Sequence, residues 1–120
     1  MILKILSSQG RADSGEINVV FTDDRQIREL NLMYLGRDCA TDVISFDSSS
    51  GRRGILADIV VSTHTAGRQS KIFKTTPIYE VYLYVIHGVL HLLGYDDKTA
   101  KQRDRMQKRA EYLLRLIRNT

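Results

Sequence analysis

The sequence predicts an α+β fold, because short strand-like runs and longer helical segments share one chain of 120 residues. Four runs rich in apolar and β-branched residues are predicted to be strands, at 2–6, 17–21, 43–46 and 55–62. Apolar residues at helical spacing predict helices between and after these strands. A chain of this length buries one core, so we expect a single domain spanning residues 1–120.

The segments that connect the predicted strands carry their own signals. Asp23 or Thr22 can cap a first helix, which Gly36 ends in a left-handed conformation. The polar, glycine-containing segment 47–54 separates the last two strands and is predicted to be a loop. A short helix is then expected over 63–70.

A third helix is the most informative element of the sequence. Thr76 can be its N-cap and Pro77 its first residue, and the helix should run to about Leu93. Apolar residues cover nearly its whole circumference, which is typical of a helix packed in the middle of a domain. Gly94 then ends the helix and lets the backbone reverse.

The terminal helix is predicted to be amphipathic. Thr99, followed three residues later by Gln102, forms a capping box at its start. One apolar stripe should pack on the domain, formed by Met106, Ala110, Leu113, Leu114 and Ile117. The opposite face is basic, and an ordinary solvated face explains it better than a dedicated nucleic-acid surface.

Charge and cysteine content limit the class of protein. The net charge of +4 permits a polyanionic partner without demonstrating one. Cys39 is the only cysteine, which excludes a disulfide framework, and we expect a buried or half-buried thiol. The first residues lack the apolar core of a secretory signal, and no stretch is long enough to cross a bilayer. We therefore expect a soluble cytoplasmic protein with no membrane partner.

Two histidines near the end of the third helix are candidate metal ligands. His87 and His91 are four residues apart, so both rings leave the same face of the helix. A single histidine on an apolar helix is commonly a core residue, whereas two on one face favour a shared ion. The reversal at Gly94 can carry Asp96 or Asp97 back beside them. Asp97 completes the pattern His-x3-His-x5-Asp, and Asp96 is a candidate acceptor for a ligand histidine.

The number of candidate ligands indicates the kind of site. Three protein ligands with an open fourth position are typical of catalytic zinc, so hydrolysis is the expected chemistry. Peptidases of the His-Glu-x-x-His type place a general base directly after the first histidine. Gly88 occupies that position here, which disfavours proteolysis by that mechanism without affecting the metal site.

The end of the third helix closely resembles the signature of the YbeY family of metal-dependent endoribonucleases. That signature is His-Gly-x-Leu-His-Leu-x-Gly-Tyr-Asp-His, and residues 87–97 agree with it at every position except the last. Four upstream segments resemble other characteristic segments of the family, in the expected order: Leu30-Asn31-Leu32, Gly36-Arg37-Asp38, Thr41-Asp42-Val43-Ile44-Ser45-Phe46 and Ala57-Asp58-Ile59-Val60. The resemblance therefore covers nearly the whole chain.

The resemblance implies a fold and a metal site. The fold is a mixed sheet of about four strands surrounded by helices, in a single zincin-like metal-hydrolase domain. One divalent metal ion per chain, expected to be zinc, would be held by His87, His91 and Asp97. The family has histidine at the position of Asp97. A carboxylate is an acceptable zinc ligand, although its negative charge should make the ion a weaker Lewis acid.

The resemblance also implies a substrate and a setting. The family cleaves single-stranded RNA and ribosomal RNA endonucleolytically, in small-subunit rRNA maturation and ribosome quality control in the cytoplasm. Small-subunit ribosomal proteins are candidate partners, and the oligomeric state is left open.

Departures from the family pattern bear on activity. The family usually has an arginine directly before the equivalent of Gly36, associated with function, but this chain has Leu35. Arg37 is our candidate catalytic residue, because it could reach the same phosphate from the other side of the turn. A solvated charge in a helix-terminal loop is an equally good reading of Arg37. Asp47 replaces the family's proline after Ser-Phe, which leaves substrate preference open.

Three functions remain open at this level. The leading one is a single-strand-specific, metal-dependent endoribonuclease, with water or the RNA 2′-hydroxyl as nucleophile. The alternative is a ribosome-assembly RNA-binding protein that keeps the metal but has little or no cleavage activity. The third is a metal-dependent hydrolase of a substrate other than RNA, which the resemblance disfavours.

Overall fold

The computed structural model describes residues 15–48 and 55–118. Its strands and helices follow in the order β1 (Gly15–Thr22), α1 (Asp24–Leu35), β2 (Val43–Asp47), β3 (Ile55–Ser62), α2 (Thr63–Phe73), α3 (Pro77–Leu92) and α4 (Ala100–Arg118). The predicted strand at 2–6 and residues 49–54 of the predicted loop lie outside the described residues. Every other predicted strand and helix is present, so the α+β class is confirmed. None of the described helices is long and apolar enough to span a membrane.

The described strands form a mixed sheet in the order β1-β3-β2. β1 runs parallel to β3, with Val19 paired to Ile59, and β2 runs antiparallel to β3, with Ile44 paired to Val60. The mixed character is confirmed, but the described sheet has three strands rather than about four, since the fourth predicted strand falls at 2–6. The central strand β3 carries a nearly continuous apolar run because both of its faces are buried.

Helix α3 lies in the main core, as its apolar composition predicts. Its buried hydrophobic side chains lie on most of its sides and number six: Leu83, Tyr84, Val85, Ile86, Val89 and Leu90. These pack with Ile59 and Val61 of β3 and with the apolar stripe of α4. A smaller cluster consists of Ile27 from α1, Ile44 from β2 and Val60 from β3. The backbone of α3 is therefore held by packing from several directions.

Capping hydrogen bonds hold the helix ends where the sequence predicts them. Asp23 Oδ1 accepts from the backbone nitrogen of Gln26 at 2.8 Å, and Gly36 is left-handed at φ 70°. Thr76 Oγ1 accepts from the backbone nitrogen of Tyr79 at 3.2 Å. The first turns of α1 and α3 thus begin at fixed positions, which sets the register of the side chains that follow.

The other helices agree with prediction except at one end. Thr99 and Gln102 form the predicted capping box of α4, with reciprocal bonds of 3.0 and 3.1 Å. Helix α2 extends to Phe73 instead of ending at residue 70, and its left-handed end at φ 56° is supplied by Lys74. No glycine marks this end, so the sequence carried no stop signal for it.

Candidate functional site

The position of α3 against the sheet depends on Gly88. A Cβ atom at this residue would lie 2.8 Å from Ile59 Cγ2 and 3.0 Å from Ser45 Oγ. Ser45 Oγ also donates a hydrogen bond to the Gly88 carbonyl at 3.0 Å. The helix can approach the strands this closely only without a side chain at position 88. A glutamate here, as in His-Glu-x-x-His peptidases, would not fit.

All four predicted site residues line one cleft, which we call the histidine cleft. His87 and His91 reach it from α3, Asp97 from the following loop and Arg37 from the loop after α1. The cleft has a volume of about 520 Å³. Two chain regions that are distant in sequence, around residue 37 and over residues 87–97, therefore meet where the predicted chemistry requires them to meet.

His91 and Asp97 have the spacing of two ligands of one ion. His91 Nε2 lies 3.6 Å from Asp97 Oδ2, and donor atoms at zinc-ligand distances on two corners of a tetrahedron are about 3.3 Å apart. The backbone reversal that brings them together runs through Gly94, at φ 97°. It is closed by a 3.0 Å hydrogen bond from the Tyr95 nitrogen to the Leu90 carbonyl.

His87 has a different partner. Its Nε2 atom lies 3.2 Å from Gln107 Oε1 on α4. Burial lowers the pKa of His87, and the attraction of Asp42 opposes this effect only in part. The ring is therefore neutral near pH 7, which is the form that binds a metal ion.

The donor set suits a metal ion in chemistry, and partly in geometry. Two imidazoles and a carboxylate are normal zinc ligands, and two of the three have ligand spacing. Within residues 15–48 and 55–118, however, no group of three or more His, Cys, Asp or Glu side chains is already arranged to hold an ion. Coordination through His87 Nε2 would require this atom to leave Gln107.

Arg37 is held in the cleft wall by its neighbours. Arg28 pairs with Asp38 at 2.7 Å, and the buried Asn31 side chain donates to the Cys39 carbonyl at 2.9 Å. The Arg37 nitrogen itself donates to the Asn31 carbonyl at 3.3 Å. These bonds tie the loop after α1 to the helix, so Arg37 faces the cleft on a fixed backbone.

Sequence reasoning missed two functional candidates in α4. Arg103 is one of the basic residues of the terminal helix, whose basic face was predicted to be solvated. It lines the histidine cleft and donates to the carbonyl oxygens of Asp97 and Lys98 at 3.2 and 3.3 Å. Gln107 also lines the cleft and contacts His87. The two are four residues apart and so share a helix face next to the apolar stripe, which is the signal that could have found them.

Other candidates lie elsewhere. Asp96 Oδ1 accepts a hydrogen bond from the Asp97 backbone nitrogen at 2.8 Å, and Asp96 lines a separate pocket. The described hydrogen bonds include none between Asp96 and a histidine, so the predicted role of Asp96 as acceptor for a ligand histidine is not observed. Cys39 is exposed, so the expectation of a buried thiol is wrong. His64 lies at the exposed start of α2, outside the cleft.

A second cavity adjoins the histidine cleft, and we call it the Glu80 cavity. Its volume is about 720 Å³, and it shares Thr41, Asp42, His87 and Gln107 with the cleft. Glu80 and Tyr84 of α3 line it, and each is only 4% exposed. Helix α3 therefore contributes side chains to two adjoining spaces.

The fold and cleft define a class of protein: an α+β domain whose buried helix presents a His-x3-His pair and a returning aspartate to one cleft. Comparison with known proteins identifies that class. The family model for Endoribonuclease YbeY matches residues 1–118. The chain therefore belongs to the Endoribonuclease YbeY family, and the resemblance seen in the sequence is confirmed.

Individual relatives agree with the family match. Endoribonuclease YbeY of Desulforamulus reducens is 39% identical over 117 residues, which cover 91% of this chain and 76% of the relative. That of Anaeromyxobacter sp. is 40% identical over 112 residues, covering 92% and 58%. The solution structure of TM1509 from Thermotoga maritima is similar with a TM-score of 0.59 at 28% identity, covering 91% of this chain and 73% of that one.

Proposed function

We propose that this chain is a metal-dependent endoribonuclease specific for single-stranded RNA. We place its work in small-subunit rRNA maturation and ribosome quality control in the cytoplasm. The observation that carries the proposal is the convergence of His87, His91, Asp97 and Arg37 on one cleft, in a chain whose relatives are named Endoribonuclease YbeY.

His87, His91 and Asp97 are the residues that would hold one divalent ion, for which zinc suits the donor set. When bound, the ion supplies Lewis acidity and neutralises negative charge that develops at the phosphate. The lowered pKa of His87 keeps its ring neutral, which is the form that can be a ligand of the metal ion. The 3.6 Å separation of His91 and Asp97 supports joint binding by these two residues.

The arginines of the cleft have distinct roles in this proposal. Arg37 faces the cleft and binds the phosphate, where a guanidinium offers paired hydrogen-bond donors to phosphate oxygens. Arg103 is a positioning residue, because its guanidinium donates to the backbone carbonyl of Asp97. The two cations also favour the approach of an anionic backbone.

The reaction breaks one P–O bond of the RNA backbone, and the product ends identify the nucleophile. Attack by the neighbouring 2′-hydroxyl expels the 5′-oxygen and leaves a 2′,3′-cyclic phosphate. Attack by water can instead leave a 3′-hydroxyl and a 5′-phosphate. Analysis of the product ends by mass spectrometry distinguishes the two routes.

The decisive experiment combines metal analysis with a cleavage assay on single-stranded and double-stranded RNA. We expect the purified chain to contain about one zinc ion, to cut only the single-stranded RNA, and to lose both metal and cleavage in His91→Ala. His64→Ala is the matched control, because His64 lies outside the cleft. Cleavage that persists in His91→Ala after chelator treatment would contradict the proposal.

A second function has one specific observation in its favour. Leu35 lines the histidine cleft at the position where the family usually carries arginine. A chain whose cleavage activity is weakened by the loss of this arginine could serve as a ribosome-assembly RNA-binding protein that keeps the metal without cleaving. Binding of single-stranded RNA with no metal-dependent turnover would favour this alternative.

A further inference from the structure

Helix α2 ends at an exposed phenylalanine that the proposed reaction leaves unused. Phe73 is the last residue of α2 and is 64% exposed. A ring this open contributes little to the core, because most of its apolar surface stays in water. Single exposed apolar residues are common on protein surfaces, so the surroundings of Phe73 decide whether the ring has a function.

Phe73 lines the Glu80 cavity, and its exposure places it at the mouth of that cavity. The Glu80 cavity shares His87 and Gln107 with the histidine cleft. Its volume of about 720 Å³ leaves room for a flat ring beside Phe73. A ligand whose reacting part lies in the histidine cleft can therefore extend to the phenylalanine ring.

The backbone at the end of α2 holds Phe73 in place. Lys74 adopts the left-handed conformation at φ 56°, and its backbone nitrogen donates to the Ser70 carbonyl. The Thr75 nitrogen donates to the same carbonyl at 2.9 Å. These two hydrogen bonds close the turn directly after Phe73. A ligand that contacts the ring therefore has little backbone to order on binding, which favours affinity.

Charge determines which part of a ligand can lie against the ring. Three carboxylates line the Glu80 cavity, from Asp42, Glu80 and Glu111, and its single guanidinium, that of Arg68, is paired with Asp24. A phosphate is therefore disfavoured inside the cavity. Lys74 is exposed beside Phe73, and within residues 15–48 and 55–118 it belongs to no ion pair. A nucleotide chain would keep its phosphates outside the cavity and turn a neutral base toward Phe73.

We propose that the Phe73 ring, at the mouth of the Glu80 cavity, is a stacking site for one unpaired base of the RNA substrate. Exposed aromatic side chains bind single strands in this way, because the face of an unpaired base is free to stack. A base inside a duplex has no free face. Phe73 would therefore contribute to the preference for single-stranded RNA without selecting a particular base.

The inference rests on the proposed function, because it assigns a binding residue to the same RNA site. The stacked base would belong to a nucleotide near the phosphate that lies in the histidine cleft, since the two spaces adjoin at His87 and Gln107. Stacking of one base on an aromatic side chain is worth about 1–3 kcal/mol. Loss of the ring should therefore be measurable as a change in RNA affinity.

The test measures RNA binding without turnover. Fluorescence anisotropy with the full chain, in the presence of EDTA, would compare three labelled ligands of equal length: a single-stranded oligoadenylate, an RNA duplex and an abasic ribose-phosphate strand. We expect Phe73→Ala to weaken binding of the oligoadenylate about 10-fold. The affinities for the duplex and for the abasic strand should stay unchanged, because neither offers a free base to the ring.

Further variants separate stacking from simple apolar contact. Phe73→Leu keeps an apolar side chain without a ring and should bind the oligoadenylate as weakly as Phe73→Ala, whereas Phe73→Tyr should bind like wild type. Phe21→Ala is the matched control, because Phe21 is 61% exposed but lines neither the histidine cleft nor the Glu80 cavity. The Tm of each Phe73 variant should stay close to that of wild type, since the ring is mostly exposed.

A tryptophan probe reports the stacking directly. The chain contains no tryptophan, so Phe73→Trp places a single indole at the mouth of the Glu80 cavity. Its fluorescence should be quenched when the oligoadenylate is added and should not change with the abasic strand. Phe21→Trp, the corresponding control, should not respond to either ligand.

Equal affinity of wild type and Phe73→Ala for the oligoadenylate, or wild-type affinity in Phe73→Leu, would overturn the assignment. So would an indole in Phe73→Trp that is not quenched while the oligoadenylate binds. Loss of a dimer in Phe73→Ala with RNA binding intact, measured by analytical ultracentrifugation, would assign the ring to a contact between two copies instead. Failure of RNA cleavage with retained stacking on residue 73 would remove the proposed function alone.

Discussion

The histidine cleft and the Glu80 cavity share a wall but differ in charge. The cleft combines two arginines, Arg37 and Arg103, with two aspartates and the histidine pair. The cavity has three carboxylates and one arginine that is already paired. A phosphodiester therefore suits the histidine cleft better than the more acidic Glu80 cavity.

One stripe of helix α3 supplies both spaces. Glu80, Tyr84, His87 and His91 follow at intervals of four, three and four residues, so they lie along one face. The N-terminal part of this stripe faces the Glu80 cavity, and the C-terminal part faces the histidine cleft. A polar stripe on a helix that is otherwise apolar is thus the sequence signal for the cavity as well as for the cleft.

The largest expected effect is at the histidine cleft. His91→Ala should lower RNA cleavage at least about 100-fold, because one metal ligand is lost. Zinc content by atomic emission and cleavage of single-stranded RNA are the measurements. Cleavage at the wild-type rate in a His91→Ala chain without zinc would contradict the assignment of His91 to the metal site.

The close packing of α3 against the sheet can be disturbed by a side chain at Gly88. Gly88→Ala gains roughly 1 kcal/mol of helix propensity, but the new methyl meets the buried Ile59, and overpacking costs about 1–3 kcal/mol. We expect a net loss of up to about 2 kcal/mol in the free energy of urea unfolding.

Gly67→Ala in α2 is the matched control, because nothing lies within 4 Å of its Cβ position. It should stabilise the chain by about 0.5–1 kcal/mol. A stabilised Gly88→Ala would contradict the close approach of α3 to the sheet.

Arg37→Ala tests the cleft alone. We expect cleavage to fall about 10-fold while zinc content and Tm stay unchanged, because the proposed role of the guanidinium is to contact phosphate and not the metal. Arg25→Ala on α1 is the control, since Arg25 is exposed and its ion pair within the described part of the chain is with Glu29 at 3.6 Å. Unchanged cleavage in Arg37→Ala would indicate that Arg37 is a solvated loop residue with no role in cleavage.

The last prediction concerns Asp24, which binds Arg68 at the wall of the Glu80 cavity. The Asp24 carboxylate accepts hydrogen bonds from Arg68, Ser62 and Thr65, and the bond from Arg68 is the main reason that the pKa of Asp24 falls from 3.8 to about 2. Because the folded-state pKa is depressed, this stabilisation is present above pH 3.8 and is lost as the pH falls through about 2.

Asp24→Asn should therefore lower the free energy of unfolding by about 1–2 kcal/mol at pH 7, after allowance for partial exposure. The difference from wild type should shrink toward pH 2, as urea titrations at several pH values would measure. Asp104→Asn, in the exposed pair with Lys108, should change stability by less than about 0.5 kcal/mol. A difference that persists unchanged at low pH would contradict the assignment to the Asp24 charge.

Local features were predictable from the sequence because they depend on residues within one or two turns. The caps at Asp23, Thr76 and Thr99 and the left-handed Gly36 are of this kind. So is the shared face of His87 and His91. The end of α2 at Lys74 was not predictable, because a non-glycine residue adopts the left-handed conformation there.

The sequence by itself determined the family, the α+β class, the buried character of α3 and the pair of histidines one turn apart. Only the tertiary structure decided which atoms meet across the chain: Arg103 with the Asp97 carbonyl, Gln107 with His87, and Ile59 with the space beside Gly88. Periodicity fixes which face of a helix a residue occupies. The group that faces it comes from packing between segments far apart in sequence, which no local pattern encodes.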